Sequence, residues 1–480
     1  MKRFRLTGDE LSRYVSFEGT VRVGVKSRPP AEFTLPPLPF DFPVGLVVEA
    51  ENVAPHSVFG FTVENMAEGV LVAGGSAEER VNTLLRILGG SSKLGWNIAA
   101  ATSRNLARVR SVAPQARVYD GFPLNPLDPE EAGGAEYASA LSLTLQSALG
   151  LTGGQRLLLE DAIAMCMDEG ALTLEELKEK VREAAVSELR SQAERREAEL
   201  LHRELGLTMS LKGAEKLSPA NPSTLRWMVE APTVALLWEP RLAAVAQASL
   251  LAKAMCLEVR GFSVLVELDC FAEPEPLAGV FRRLREKEVG VVALSPSVSH
   301  AGSAASVLGN RVIHRLEDGG EAGLVGRLMG LREEGESVQS GRRHRLYQVE
   351  VLRFLEWGEA VVQRSDNPSP VLVVFEMVEG GEARAEPVSG AGGGRTPLEV
   401  DFGSDAADAL KVIQLVHDFP QITLSQVVGG LPEIGEKARV LALRLADRGY
   451  LASFRDGRGR RVFVVTRRGE DALRRVRGGG

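Results

Sequence analysis

Six short apolar runs, Gly69–Ala73, Asn97–Ala101, Ala116–Tyr119, Val234–Trp238, Phe262–Leu268 and Gly290–Leu294, are separated by stretches whose apolar residues recur at helical spacing. A strand that is apolar throughout is buried on both faces. Alternating such strands with helices predicts a mostly parallel α/β sheet with helical cover, here over residues 61–378. Between residues 151 and 217 the alternation gives way to a charged helical insertion. Its second helix opens on the capping box Thr173-Leu174-Glu175-Glu176 and continues through Leu177, Val181, Leu189, Leu200 and Leu201. Residues 1–60 hold Thr20–Val25, a Pro-rich segment from Arg28 to Pro43 and Val44–Val48, which predicts a small N-terminal β cap with edge strands. The Gly-rich composition of residues 379–403 predicts a flexible linker, and residues 404–480 a separate module.

The first strand–helix crossing carries the most local information. Val70–Ala73, then Gly74-Gly75-Ser76, then the helical run through Leu84, Leu85, Ile87 and Leu88 has the plan of a phosphate-binding P-loop, in which N–H groups at a helix start cradle anionic oxygens. Laid on G-x-x-x-x-G-K-[ST] from Gly74, the second glycine falls on Glu79, the lysine on Arg80 and the Mg²⁺-binding hydroxyl on Val81. A carboxylate opposes a phosphate, and valine offers a metal no oxygen. Ser76-Ala77-Glu78-Glu79 also reads as a capping box, Ser76 as N-cap and Glu79 reaching back, so the helix satisfies its own N–H groups. An ordinary capped strand–turn–helix accounts for the same residues.

With 44% hydrophobic and 25% charged residues in 480, two or three soluble globular domains are expected. Cys166, Cys256 and Cys270 have neither redox nor metal-ligand spacing, and His300, His314 and Cys270 fit no zinc arrangement, so no metal is expected. Neither a signal peptide nor a bilayer-length apolar run is present, which makes the cytoplasm the expected location and a membrane no expected partner. The net charge of −7 is uneven: from Asp405 onward about 14 Lys/Arg face about 9 Asp/Glu, roughly +5, leaving about −12 on the rest.

The degraded loop at 74–81, the Leu124-Asn125-Pro126-Leu127 turn, the helical insertion, the late strand Val264–Asp269, Asn310 and the closing Leu352–Val362 with Gly358-Glu359-Ala360 together resemble the HerA/FtsK-type (VirB4-like) P-loop ATPases over residues 44–378. That resemblance implies a DNA-translocating fold assembled into rings. It also marks departures. The Asp-Glu pair expected at the Walker B strand end is replaced by Glu267-Leu268-Asp269-Cys270. The sensor glutamine is missing from Val292–Ser297, and an acid is missing after Ile98–Thr102. Glu267 and Asp269 read equally as an ordinary strand end. Lysine, hydroxyl, catalytic acid and glutamine are lost together, so neither catalytic residues nor a cofactor are expected.

Residues 404–480 pattern as three helices and a hairpin, and Asp456-Gly457-Arg458 with Thr466-Arg467-Arg468-Gly469 resembles the wing and last helix of MarR-like winged helix-turn-helix proteins. The resemblance implies DNA contact, with Lys437 and Arg444 on the exposed face of the third helix and Arg455, Arg458, Arg460 and Arg461 along the wing. Together these features lead to the expectation of a catalytically inactive, oligomeric, DNA-binding scaffold, a hexameric ring or one shared with an active paralogue, with double-stranded DNA as its partner. Two alternatives stand beside it: an active DNA-stimulated ATPase with a non-standard P-loop that takes ATP and Mg²⁺, and a transcription regulator with an α/β sensing body.

Overall fold

The computed structural model describes residues 33, 39–49, 52–106, 108–170, 173–219, 222–333, 335–339, 342–346, 348–378, 386–387, 402, 405–419, 422–432, 434–435, 437–447, 450–455, 461–466 and 473. The strands are β1 (Phe42–Glu49), β2 (Asn52–Phe61), β3 (Val70–Ala73), β4 (Asn97–Thr102), β5 (Arg117–Asp120), β6 (Thr233–Leu236), β7 (Phe262–Glu267), β8 (Val289–Ser295), β9 (Asn310–Ile313), β10 (Gly335–Gln339), β11 (Arg342–Leu346), β12 (Glu359–Arg364), β13 (Asn367–Val374), β14 (Glu386–Pro387), β15 (Ile422–Thr423), β16 (Leu451–Arg455) and β17 (Arg461–Val465). The helices used below are α1 (Ala77–Ser92), α2 (Gly134–Leu149), α3 (Gly153–Glu169), α4 (Leu174–Val186), α5 (Gln192–Met209), α6 (Pro240–Cys256), α7 (Leu277–Glu286), α8 (Gly319–Met329), α9 (Ala406–Asp418), α10 (Leu424–Gly430) and α11 (Lys437–Asp447).

A sheet of twelve strands in the order β14-β5-β6-β4-β7-β8-β3-β9-β12-β13-β1-β2 forms the body. From β14 to β9 every pairing is parallel; from β9 to β2 every pairing is antiparallel. Side chains alternate between two cores, as a strand buried on both faces requires. Leu71 and Ala73 of β3, Ala99 and Ala101 of β4 and Val264 and Val266 of β7 face the core shared with α2, α6, α7 and the helical insertion. Val70, Val72, Ile98, Ala100 and Leu265 face the other, shared with α1 and β1–β2. The six strands expected from apolar runs all form. No helix among the described residues is long and apolar enough to cross a membrane.

Strands β1 and β2 are no separate cap. Val44, Val47, Phe59 and Phe61 are buried in the same core as β3, so the segment completes the sheet through β13, and the boundary expected near residue 60 falls inside the domain. Thr20–Val25 and most of the Pro-rich segment lie outside the described residues. Among the described residues the insertion holds three α-helices, α3, α4 and α5, and a closing 3-10 turn at Ala214–Leu217. The helix expected to run from Leu174 through Leu201 ends at Val186, and a new one starts at the capping box of Ser191 and Glu194; Leu189, between them, is fully exposed. In the linker, Glu386–Pro387 adds to β5, while the Gly-rich 389–394 lies outside the described residues. Asn310 sits at the start of β9, on the edge of the sheet opposite the loop, where its amide donates to Asn65 O and Gly69 O at 2.6 and 2.8 Å: it ties strands together.

Helix α6 positions the functional edge. Its alanines let it lie close on β4, and the buried Gln247 reaches between the carboxyl ends of β4 and β7, donating to Ala101 O at 2.7 Å and accepting from Glu267 N–H at 2.8 Å. The β4–β7 pairing runs only as far as Ala99 and Val264, so Gln247 supplies the bonds that the ladder no longer makes. Gln247→Met leaves both backbone groups buried and unpaired; we expect a loss of about 2–4 kcal/mol in chemical denaturation, more than an apolar volume match alone predicts.

The candidate nucleotide site and the C-terminal module

At the start of α1 only Gly74 and Gly75 separate β3 from the N-cap Ser76, both with positive φ. The strand therefore passes almost directly into the helix. Glu79, Arg80 and Val81 lie in its first two turns and not in a loop that wraps a ligand. Ser76 Oγ accepts from Glu79 N–H at 3.1 Å, and Glu79 Oε2 accepts from Ser76 N–H at 2.7 Å. The other oxygen, Oε1, accepts from Gly358 N–H at 3.2 Å, and the Gly75 N–H donates to Arg315 O at 2.8 Å. The Gly75, Ser76 and Glu79 N–H groups are thus committed within the protein. A Cβ on Gly75 would lie 2.8 Å from His314 Cβ, so the chain after β9 closes over the turn.

Arg80 does not point outward as a phosphate-binding cation. It is buried, and its Nη1 donates to Gly74 O and Gly75 O, both at 2.8 Å. Burial, and then the like charge of Arg104, lower its pKa. Beneath the turn, His314 is fully buried: Nδ1 faces Glu359 O at 2.9 Å, which fixes the proton there, and Nε2 accepts from Thr83 Oγ1 at 2.9 Å.

Across the edge, Glu267 ends β7 with no exposed surface. Its carboxylate accepts from Thr102 Oγ1, from Ser103 Oγ at 2.8 Å and from Ser103 N–H at 3.2 Å, with Cys270 Sγ at 3.3 Å. Arg104 Nε lies 3.5 Å from the same carboxylate, and Arg104 Nη2 bonds Asp269. Burial works against the Arg104 charge, but Glu267 and Asp269 outweigh it and raise its pKa; burial, then Glu267, push the Cys270 thiol up. The Glu267 carboxylate is enclosed on all sides by these partners. At the end of β8, Ser295 Oγ donates to Ser297 O at 2.6 Å. Glu267 and Asp269 are therefore brought together with Glu79 and Arg80 at one edge, joined by Arg104, Thr102 and Ser103, which the sequence reading did not single out, and by His314, which it weighed only as a zinc ligand. The signal for Arg104 was available: a cation two residues past a parallel strand lies at the carboxyl edge where such sheets place their sites.

The C-terminal module has its own core of Ala409, Val412, Ile413, Val416, Leu441, Leu445, Tyr450 and Phe463, with β17 between β15 and β16. Lys437 and Arg444 are not free for phosphate. Lys437 Nζ pairs with Asp405 at 2.8 Å and Asp408 at 2.7 Å, and Arg444 lies 3.6 Å from Asp405 and over the Phe402 ring. Arg455 and Arg461 face one another in backbone register as the last pair of β16–β17; Arg458 and Arg460 lie outside the described residues, as does 467–472 of the expected final helix.

The body has a P-loop ATPase-type fold. Among solved structures it is similar to the plasmid coupling protein TrwB in complex with ADP and Mg²⁺ (TM-score 0.52, 14% identity, 74% of this chain and 98% of that one). It is also similar to TrwB in complex with a non-hydrolysable ATP analogue, ADPNP (0.51, 15%, 82% and 98%), and to the bacterial conjugative coupling protein TrwBdeltaN70 with sulphate (0.51, 15%, 75% and 99%). At this identity the likeness establishes the fold. No protein-family model and no curated protein matches the chain.

His314 is held neutral. Burial lowers its pKa from 6.5 to about 4, so the unfolded chain takes up this proton first as pH falls, and stability is lost between pH 6.5 and 4. By pH 5 the loss is about 2 kcal/mol. His314→Gln should flatten that part of the stability–pH curve in urea denaturation at pH 7, 6 and 5.

Proposed function

We propose that this chain is a non-hydrolysing relative of the DNA-translocating ATPases whose fold it shares, assembling with copies of itself and holding double-stranded DNA through its C-terminal module. One observation carries this: the places of nucleotide chemistry are filled by side chains of the chain itself. The Glu79 carboxylate takes the Ser76 N–H at the helix start, where a phosphate would need it, and is held from outside by Gly358 N–H; Arg80 is spent on loop carbonyls, and the Arg104 guanidinium neutralises Glu267 and Asp269 where a divalent cation would otherwise bind. Val81 brings no hydroxyl, and Glu267 is enclosed by its partners.

Three helices followed by an antiparallel strand pair support reading residues 405–466 as a winged helix, and the positive charge of the segment suits a phosphate backbone. Lys437 and Arg444 are bound to Asp405 and Asp408, so the contact falls to Arg455, Arg458, Arg460 and Arg461. Assembly into a ring rests on the family resemblance.

Phosphate release and Mg²⁺-dependent binding of a fluorescent ATP analogue should both be absent. Turnover that disappears in Arg80→Ala would instead establish the working ATPase. In duplex DNA titrations across salt, Arg458→Ala/Arg460→Ala/Arg461→Ala should weaken binding at least tenfold and flatten the salt slope by about 2–3, whereas Asp405→Asn/Asp408→Asn should strengthen binding about fivefold by releasing Lys437 and Arg444. Footprints confined to one promoter sequence would favour the regulator instead.

A further inference from the structure

The helical insertion and the C-terminal module each carry one apolar feature left open to solvent. Helices α4 and α5 meet at a corner, Val186-Ser187-Glu188-Leu189-Arg190, where Val186 is 73% and Leu189 99% exposed. One exposed aliphatic side chain is ordinary on a protein surface; two at the tip of a fixed corner make a knob. The corner is held from three sides. Arg190 N–H donates to Ser187 O at 3.4 Å, Arg190 Nη2 lies 3.4 Å from Asp161 on α3, and the capping box of Ser191 and Glu194 starts α5 immediately afterwards. Glu188 is exposed beside Leu189 and has no ion-pair partner among the described residues.

On the C-terminal module, one face of α9 opens into a groove of about 370 Å³ walled by Leu410, Leu415, Leu431 and Leu473. Lys411 and Asp418 also line it, two helical turns apart on the same face. Gln414 donates to Asp418 at 2.7 Å, so these two polar groups satisfy each other. Lys411 keeps a surplus of positive charge. The carboxylate beside it, Asp408 at 3.6 Å, is shared with Lys437 at 2.7 Å, and one acid does not neutralise two cations.

We propose that the Val186–Leu189 knob of one copy seats in the α9 groove of a second copy, with Glu188 facing Lys411. This rests on the proposed assembly of the chain with copies of itself and names the surfaces that meet. An aliphatic knob suits a leucine-walled groove, and the acid on the knob is opposite in sign to the surplus at the groove. The larger charge pattern acts the same way: the segment from Asp405 carries roughly +5 and the remainder about −12, which draws the module of one copy toward the body of another. Within a single chain both features stay open, since Leu189 is uncovered by the chain's own module. Knob and groove are different surfaces, so the contact is heterologous. Each copy offers its knob to one neighbour and its groove to another, and the assembly closes into a ring or runs on as a filament.

Sedimentation velocity of the full chain over a range of concentrations tests the contact. We expect self-association weakened about thirtyfold in Leu189→Asp, and about tenfold in Glu188→Lys and in Lys411→Glu, where like charges then face one another. All three are exposed changes that leave the circular dichroism unchanged. An equimolar mixture of Glu188→Lys copies with Lys411→Glu copies should regain the association of the unchanged chain, because each knob then finds a groove of opposite sign on the other variant. Self-association that ignores all three substitutions overturns the proposal while leaving assembly through other surfaces intact. A monomer whose sedimentation coefficient falls in Leu189→Asp also overturns it, by placing the knob in the groove of its own chain. A monomer unaffected by that substitution overturns both this contact and the assembly on which it rests.

Discussion

A carboxylate taken completely out of water at the end of a central strand sets the terms for this protein. An unpaired buried charge costs several kcal/mol, so Glu267 is tolerated only because its oxygens are met by Thr102, Ser103 and a nearby guanidinium. Those partners come from the end of β4, and β4 can stand clear of β7 there only because Gln247 takes over the abandoned ladder bonds. The small residues of α6 let Gln247 reach that far. In a nucleotide-binding relative a metal and a phosphate would bring charge to such an edge from outside; here the compensating charge is covalently part of the chain and present at all times.

The start of α1 obeys the same logic with the sign reversed. A helix N-terminus presents unpaired N–H groups and a partial positive charge. Glu79 supplies the anion, reaching Ser76 on its own helix and Gly358 from the approach to β12. The capping box is therefore also a tertiary contact, which ties the turn to the antiparallel half of the sheet. Asn82 continues this line of contact, its oxygen accepting from Val378 N–H at 2.7 Å.

What was legible in the sequence follows from the range of the interactions involved. Apolar runs report strands because both faces are buried, and Ser76–Glu79 reports a helix start because the partners are three residues apart. Arg104 and Asp269 are separated by 165 positions, and no local pattern announces that they meet. Lys437 and Arg444 lie on a polar helix face as their spacing says, yet spacing is silent about Asp405 and Asp408 beside them. Leu189 fits the helical period of its neighbours, but the helix ends at Val186 and a new one starts from the cap at Ser191. The strand character of Val44–Val48 was readable; its membership of the main sheet depended on β13, more than 300 residues downstream.

The short pairing of Glu386–Pro387 with β5 sets the outer edge of the sheet. The chain leads from the body toward the C-terminal module through an outermost, two-residue strand, while β5 itself is anchored along its whole length to β6. Two ladder positions at the outermost strand are all that this pairing contributes, and losing them would leave the ladders of β5 with β6 and of β4 with β7 intact.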